Sequence, residues 1–202
     1  MRIRLDVQHL LIATWEADRE AVERVTPPGA EPAPIGGRYA VSVVSFRVRR
    51  GRAGALPVVP FSQLNLRTYV TWKDEPAVLF LAARVTAGGL PALLLGAPYR
   101  GARLRVRAGE VRAPGLGVLL RYRPAGPGEP GELGRHELGI FTASGLKGIR
   151  VERGPAEWQA IELLEPAKAH ILLGYGFAPH SEPDLLYAAE TSFETEPGKD
   201  LA

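Results

Sequence analysis

Residues 63–72 read QLNLRTYVTW. Leu64, Leu66, Thr68 and Val70 fall on one side of an extended chain, and Asn65, Arg67, Tyr69 and Thr71 on the other. Successive side chains of a strand point to opposite faces, so this repeat of two marks β-structure. One face is apolar. The other carries an amide, a guanidinium and a phenol, which do not suit a purely apolar core.

The neighbouring segments read the same way. Residues 39–48 (YAVSVVSFRV) and 77–86 (AVLFLAARVT) are rich in β-branched and aromatic residues. A basic loop punctuated by Gly and Pro, residues 49–60, is expected to separate the first of these from 63–72. Upstream, 10–15 (LLIATW) is a buried strand, and Asp18 is placed to cap a short helix over 19–25 that Thr26-Pro27-Pro28-Gly29 ends. Downstream, residues 88–96 read as a short apolar helix and 99–112 as one strand, with 116–123 its hairpin partner. The stretch 123–134 is a loop, and 134–148 stands between helix and loop. Residues 149–152, 157–164, 168–177 and 185–195 read as strands or partial strands, and 196–202 is expected to fray. No regular alternation of strand and helix appears, which argues against doubly wound and TIM architectures. The expectation is a mainly β, single domain over 1–202: a closed or nearly closed antiparallel barrel with a few short helices.

Composition removes several kinds of chemistry. The 202-residue chain has no cysteine, so disulfides, thiolate nucleophiles and zinc–sulfur sites are excluded. His9, His136, His170 and His180 are scattered, with no pair at helical metal-ligand spacing, so no metal and no cofactor is expected. The glycine pairs Gly51/Gly54 and Gly174/Gly176 lack the context of a phosphate loop, and Ser144 lacks the surround of a hydrolase nucleophile. No run reaches the ~20 apolar residues of a membrane span, and the first apolar patch is too short for a signal peptide. This places the chain in the cytoplasm, away from membranes. The net charge of +3 is carried mostly by arginines spread along the chain. Few thermolabile residues accompany them, a composition that fits a GC-rich or thermophilic source. Arg103, Arg105 and Arg107 make one strand face basic, continued by Arg121 and Arg123. With no aromatics interleaved for base stacking, it reads as a solvated outer face rather than a nucleic-acid surface. Exposed strand edges leave a homodimer open.

Several segments, in order, resemble one family: LLIATW (10–15), TPPGAEP (26–32), GGRYAVSVVSFRVRR (36–50), LNLRTYV (64–70) and GAPYRGARLRV (96–106). They are similar to the YqjF-like family of domains of unknown function, a distant relative of acetoacetate decarboxylase. The match covers roughly residues 8–112 and is looser beyond. The resemblance implies a cone-like barrel around a central pocket, with small helices outside. It also provides a chemical comparison. Acetoacetate decarboxylase presents two lysines just after a Gly-aromatic-Pro turn, one forming a Schiff base and the other lowering its pKa by like-charge repulsion. Here the turn is Gly96-Ala97-Pro98, and Tyr99 and Arg100 follow. Neither has an amine that can form an imine. The decarboxylase's Glu-x-Asn-Glu pattern is also changed: Gln63-Leu64-Asn65-Leu66-Arg67 keeps the Asn and loses both acids. Near Thr142 the nearer family carries a Glu-Arg pair, where this chain has Ala143-Ser144.

The implied reading is a small-molecule-binding barrel, or a diverged enzyme, holding a small acidic or carbonyl ligand with Asn65, Arg67, Tyr69, Arg100 and Arg103. Tyr99, with a pKa lowered by Arg100, would act as general acid or base; the alternative is a hydrogen-bonded barrel tyrosine. Arg67 is a natural carboxylate clamp if it faces inward. Otherwise it pairs with a structural acid such as Glu110, Glu162 or Glu190. Arg103, inside the matching segment, is expected to turn inward. Lys147 is the one lysine in a Gly-flanked apolar setting; it is either a substitute amine or a surface lysine. The competing reading of the whole chain is a structural or interaction protein with a filled barrel.

Overall fold

The computed structural model describes residues 1–86, 99–134, 137–142 and 145–201. Its elements in chain order are β1 (Ile3–Glu16), α1 (Arg19–Val25), β2 (Ala30–Pro32), β3 (Ala40–Ala53), β4 (Leu56–Val58), β5 (Phe61–Trp72), β6 (Glu75–Val85), β7 (Tyr99–Gly101), β8 (Arg105–Arg107), β9 (Glu110–Ala113), β10 (Val118–Pro127), β11 (Leu138–Phe141), β12 (Lys147–Arg153), β13 (Trp158–Leu163), β14 (Lys168–Ala169), β15 (Asp184–Thr195) and β16 (Lys199–Asp200). Short 3₁₀ turns occur at Pro114–Leu116, Gly131–Gly134 and His170–Tyr175.

Seven strands close into a barrel. β1 pairs with β3, β3 with β5 and β5 with β6, all antiparallel. β6 takes β11 in parallel, and β11 is antiparallel to β12. β15 then pairs with both β12 and β1 and shuts the ring. Closure leaves no unpaired edge around the ring. The barrel is antiparallel apart from its β6–β11 seam.

β15 also begins a second layer. Its Leu186–Ala188 segment pairs with β13, and the sheet continues from β13 through β10 and β9 to β8. This arm packs on the barrel's outer wall. Leu11, Val43, Leu64 and Leu66 of the wall share a buried cluster with Val106, Val111 and Leu120 of the arm and with Val22 of α1. β5 is therefore covered on both faces, which explains why Phe61–Val70 is buried throughout.

Several local expectations need correction. Residues 49–60 are not a loop, because β3 runs to Ala53, turns at Gly54 (φ +60°) and pairs with β4. Residues 99–112 form three short strands rather than one, β8 and β9 being joined through Gly109 at φ +75°. Of 168–177 only Lys168–Ala169 is strand; His170–Tyr175 winds into a 3₁₀ turn that ends at left-handed Gly176. Within 134–148, Leu138–Phe141 is a barrel strand. Asp18 stands at the start of α1, but its side chain makes no capping bond. Toward the C-terminal end, Lys199–Asp200 pairs with Lys147–Gly148. The helix expected over 88–96, the Gly96-Ala97-Pro98 turn, His136 and Ala143-Ser144 lie outside the described residues. Among the described residues, no helix is long and apolar enough to cross a membrane.

Candidate functional site

The inward face of β5 presents Gln63, Asn65 and Arg67 in succession, two residues apart, as the strand period requires. They border a cavity of about 100 Å³ to which all seven ring strands contribute, among them Leu5 of β1, Val44 of β3, Phe80 of β6, Phe141 of β11, Val151 of β12 and Phe193 of β15. The cavity is therefore the barrel lumen. Its walls are mainly apolar, with a few polar groups converging inside, the usual make-up of a small-molecule site. A wider groove of about 530 Å³ lies on the surface near Trp72, where Arg150 makes two hydrogen bonds to Glu75, at 2.6 and 2.7 Å.

A neutral polar group forms one part of the lumen. The Gln63 amide donates to Asn65 Oδ1 at 2.9 Å and to the Tyr99 hydroxyl at 3.4 Å. Because Tyr99 accepts from Gln63, its own proton points elsewhere. Burial pushes the Tyr99 phenol up to about 12, only partly offset by the Gln63 hydrogen bond. The expected lowering by Arg100 is thus reversed. β7 alternates, so Tyr99 turns in while Arg100 turns out and is exposed. At neutral pH Tyr99 is a neutral phenol, not a phenolate base.

The second part is cationic. Arg67 is 8% exposed, and its Nε and Nη2 make no hydrogen bond. Where β5 meets β6, an irregularity pairs Leu66 with Ala82 but Arg67 with Phe80, which leaves Leu81 unmatched. Such bulges bend a strand and re-aim the side chains beside them. The Arg67 guanidinium lies 5.6 Å from the centre of the Tyr69 ring. Tyr69 itself stands off the cavity lining: its hydroxyl lies 2.6 Å from Ser42 Oγ, which in turn lies 2.8 Å from Thr14 Oγ1. The structural acids that were alternative partners of Arg67 are engaged elsewhere. Glu110 pairs with Arg107 and Arg121 at 3.3 and 3.5 Å, Glu162 with Arg123 at 2.8 Å, and Glu190 accepts from Gln8 at 3.1 Å.

Sequence reasoning missed a second arginine. Arg153, at the end of β12, lines the same lumen, and its Nε is buried without a hydrogen bond. Its guanidinium sits 5.2 Å from the centre of the Trp158 ring. Burial first, and then the charge of Arg67, hold Arg153 below the ordinary arginine value, at about 10. It remains a cation at neutral pH. The available signal was the alternation Ile149, Val151, Arg153 against exposed Arg150 and Glu152. Glu137 reaches the rim of the cavity but is exposed, and among the described residues it makes no ion pair with either arginine.

Arg103 does not join the site; it is exposed, beyond the end of β7. Arg107, Arg121 and Arg123 of the arm are matched by Glu110, Glu165 and Glu162, so much of that basic face is neutralised locally. None of the chain's four lysines lines the lumen. Lys147 sits at the start of β12, 3.8 Å from an Asp200 carboxylate oxygen. Among the described residues no cluster of histidine and carboxylate side chains is placed to hold a metal.

The fold is similar to that of the acetoacetate decarboxylase of Legionella pneumophila subsp. pneumophila str. Philadelphia 1. The likeness has a TM-score of 0.69 at 12% identity and covers 100% of this chain and 88% of that one. The molecule is an acetoacetate-decarboxylase-like barrel. Within that class the chain belongs to the DUF2071 family of uncharacterized conserved proteins, whose model matches residues 4–192. The uncharacterized protein YqjF of Bacillus subtilis (strain 168) is 35% identical over 77 residues, a stretch that spans 36% of this chain and 32% of YqjF. The chain thus matches only about a third of that relative's length. The enduracididine biosynthesis enzyme MppR complexed with pyruvate is similar at a TM-score of 0.66 and 14% identity, over 100% of this chain and 91% of MppR.

Proposed function

We propose that the barrel binds a small carboxylate, with a carbonyl or similar group beside it, and that it does so without forming an imine. The observation that carries this reading is Arg67: a buried guanidinium facing the lumen with two unbonded nitrogens. A buried charge without a partner is costly, and a planar fork of donors fits the two oxygens of a carboxylate. Gln63, Asn65 and Tyr99 supply neutral hydrogen-bonding groups beside it, the protonated phenol suiting a carbonyl oxygen. MppR, a barrel of the same kind, takes pyruvate, a carboxylate with an adjacent carbonyl. A lumen of about 100 Å³ restricts the ligand to a few carbon atoms.

The missing lysine separates binding from decarboxylation. An imine requires a primary amine in the lumen, and the lumen has none, so the electron sink of the decarboxylase route is absent. Calorimetric titration with pyruvate and with acetoacetate is expected to give saturable binding, weakened about 30-fold or more by Arg67→Met through loss of a charge-assisted bidentate pair. Borohydride added to the same mixtures should leave the protein mass unchanged. Absence of binding to both acids, or a trapped adduct on any lysine, would overturn this reading.

A further inference from the structure

The lumen holds more positive charge than one carboxylate neutralises. Around the ring, β5 and β12 are separated by β6 and β11 on one side and by β3, β1 and β15 on the other. No two strands of a seven-membered ring lie farther apart, so Arg67 and Arg153 enter from opposing walls. Both line the cavity, and both keep buried nitrogens without hydrogen bonds: Nε and Nη2 of Arg67, and Nε of Arg153. Among the described residues, the other groups there that can carry charge are Tyr99, which is protonated, and Glu137, which is exposed at the rim. Two guanidinium groups facing each other repel unless something negative lies between them.

Building on the carboxylate reading above, we infer that the ligand bears two negative charges and bridges Arg67 and Arg153 across the lumen. The two sources of that chemistry are a short dicarboxylate and a phosphate. Either meets both cations at once, and the apolar walls strengthen each contact by excluding water. A monoanion satisfies one guanidinium and leaves the other buried and unpaired, which is the costly arrangement.

Matched ligands test this directly. Succinate and succinamate have nearly the same shape and differ by one charge, while inorganic phosphate tests the second source. Calorimetry on the wild-type chain and on Arg153→Met, with circular dichroism to verify folding, reads the outcome. Succinate or phosphate is expected to bind about tenfold or more tighter than succinamate, and Arg153→Met should shrink that preference to about threefold or less. Equal affinity for succinate and succinamate, with phosphate no tighter, would overturn the dianion inference while leaving the carboxylate reading intact. A preference that survives Arg153→Met would remove Arg153 from the bridge and overturn it equally. If none of the three ligands binds but pyruvate does, only the dianion inference falls. If nothing binds, both fall.

Discussion

Arg153 is a cation in a place that penalises charge. Its pKa in the folded chain lies below the unfolded value, so the folded state holds that proton less tightly. The unfolded chain binds more protons between about pH 10 and the ordinary arginine range, so stability rises with pH only there. At neutral pH the penalty is present in full. Arg153→Met should therefore stabilise the empty protein by about 1–3 kcal/mol, as replacement of buried charges by apolar residues often does. For a chain of this size that raises Tm by about 2–10 °C. A calorimetric scan that finds Tm lowered would show that the guanidinium is already compensated inside the fold. At this scale the site was half legible. Arg67 and Asn65 were readable because a strand in the middle of a clear repeat of two announces which residues share a face. Arg100 and Arg103 misled because their segment is not one continuous strand: Arg100 turns out beside inward Tyr99 on short β7, and Arg103 lies between β7 and β8.

At the scale of the element, β11 shows how packing replaces pattern. Leu138–Phe141 (LGIF) has no alternation, since both faces are covered, and the segment is too short to distinguish itself from a helix or loop. Gly139 is decided by space. A Cβ there would come within 2.5 Å of Phe80 Cε2 and 3.1 Å of Ile149 Cγ2. The Phe80 ring stacks on Phe141 with centroids 4.5 Å apart, and all of these residues border the lumen. Gly139→Ala should push the Phe80 ring into the cavity, at a cost of about 1–3 kcal/mol in stability. Ligand affinity should fall although no hydrogen-bonding group has changed. Denaturant melts and pyruvate titration of the same variant check both effects; unchanged affinity would mean the ring has room elsewhere. The run HILLGY was read as strand for a related reason. Apolar residues without polar alternation are compatible with either state, and the turn is closed only by left-handed Gly176.

The whole molecule is held by pairings between distant parts of the chain. β1 meets β15 along its length, Ile3 lying opposite Thr195 and Leu11 opposite Tyr187. Loop-closure entropy must be met before such contacts contribute, so non-local β topologies fold slowly. The main refolding phase should take milliseconds to seconds, measured by stopped-flow tryptophan fluorescence; a dominant microsecond phase would contradict a barrel sealed by β15. Patterning supplied a closed or nearly closed antiparallel barrel in advance, and the family resemblance added a central pocket to it; neither supplied the order of the strands around the ring.

The long strands and the polar row that Asn65 and Arg67 share on one face of β5 were readable along the chain, because each depends on neighbours a few residues apart; that this face turns inward was not. Arg153 joining Arg67, the parallel β6–β11 seam and the neutralisation of the basic arm are of another kind. They depend on which strands become neighbours when the ring closes, and a period of two specifies faces without specifying partners.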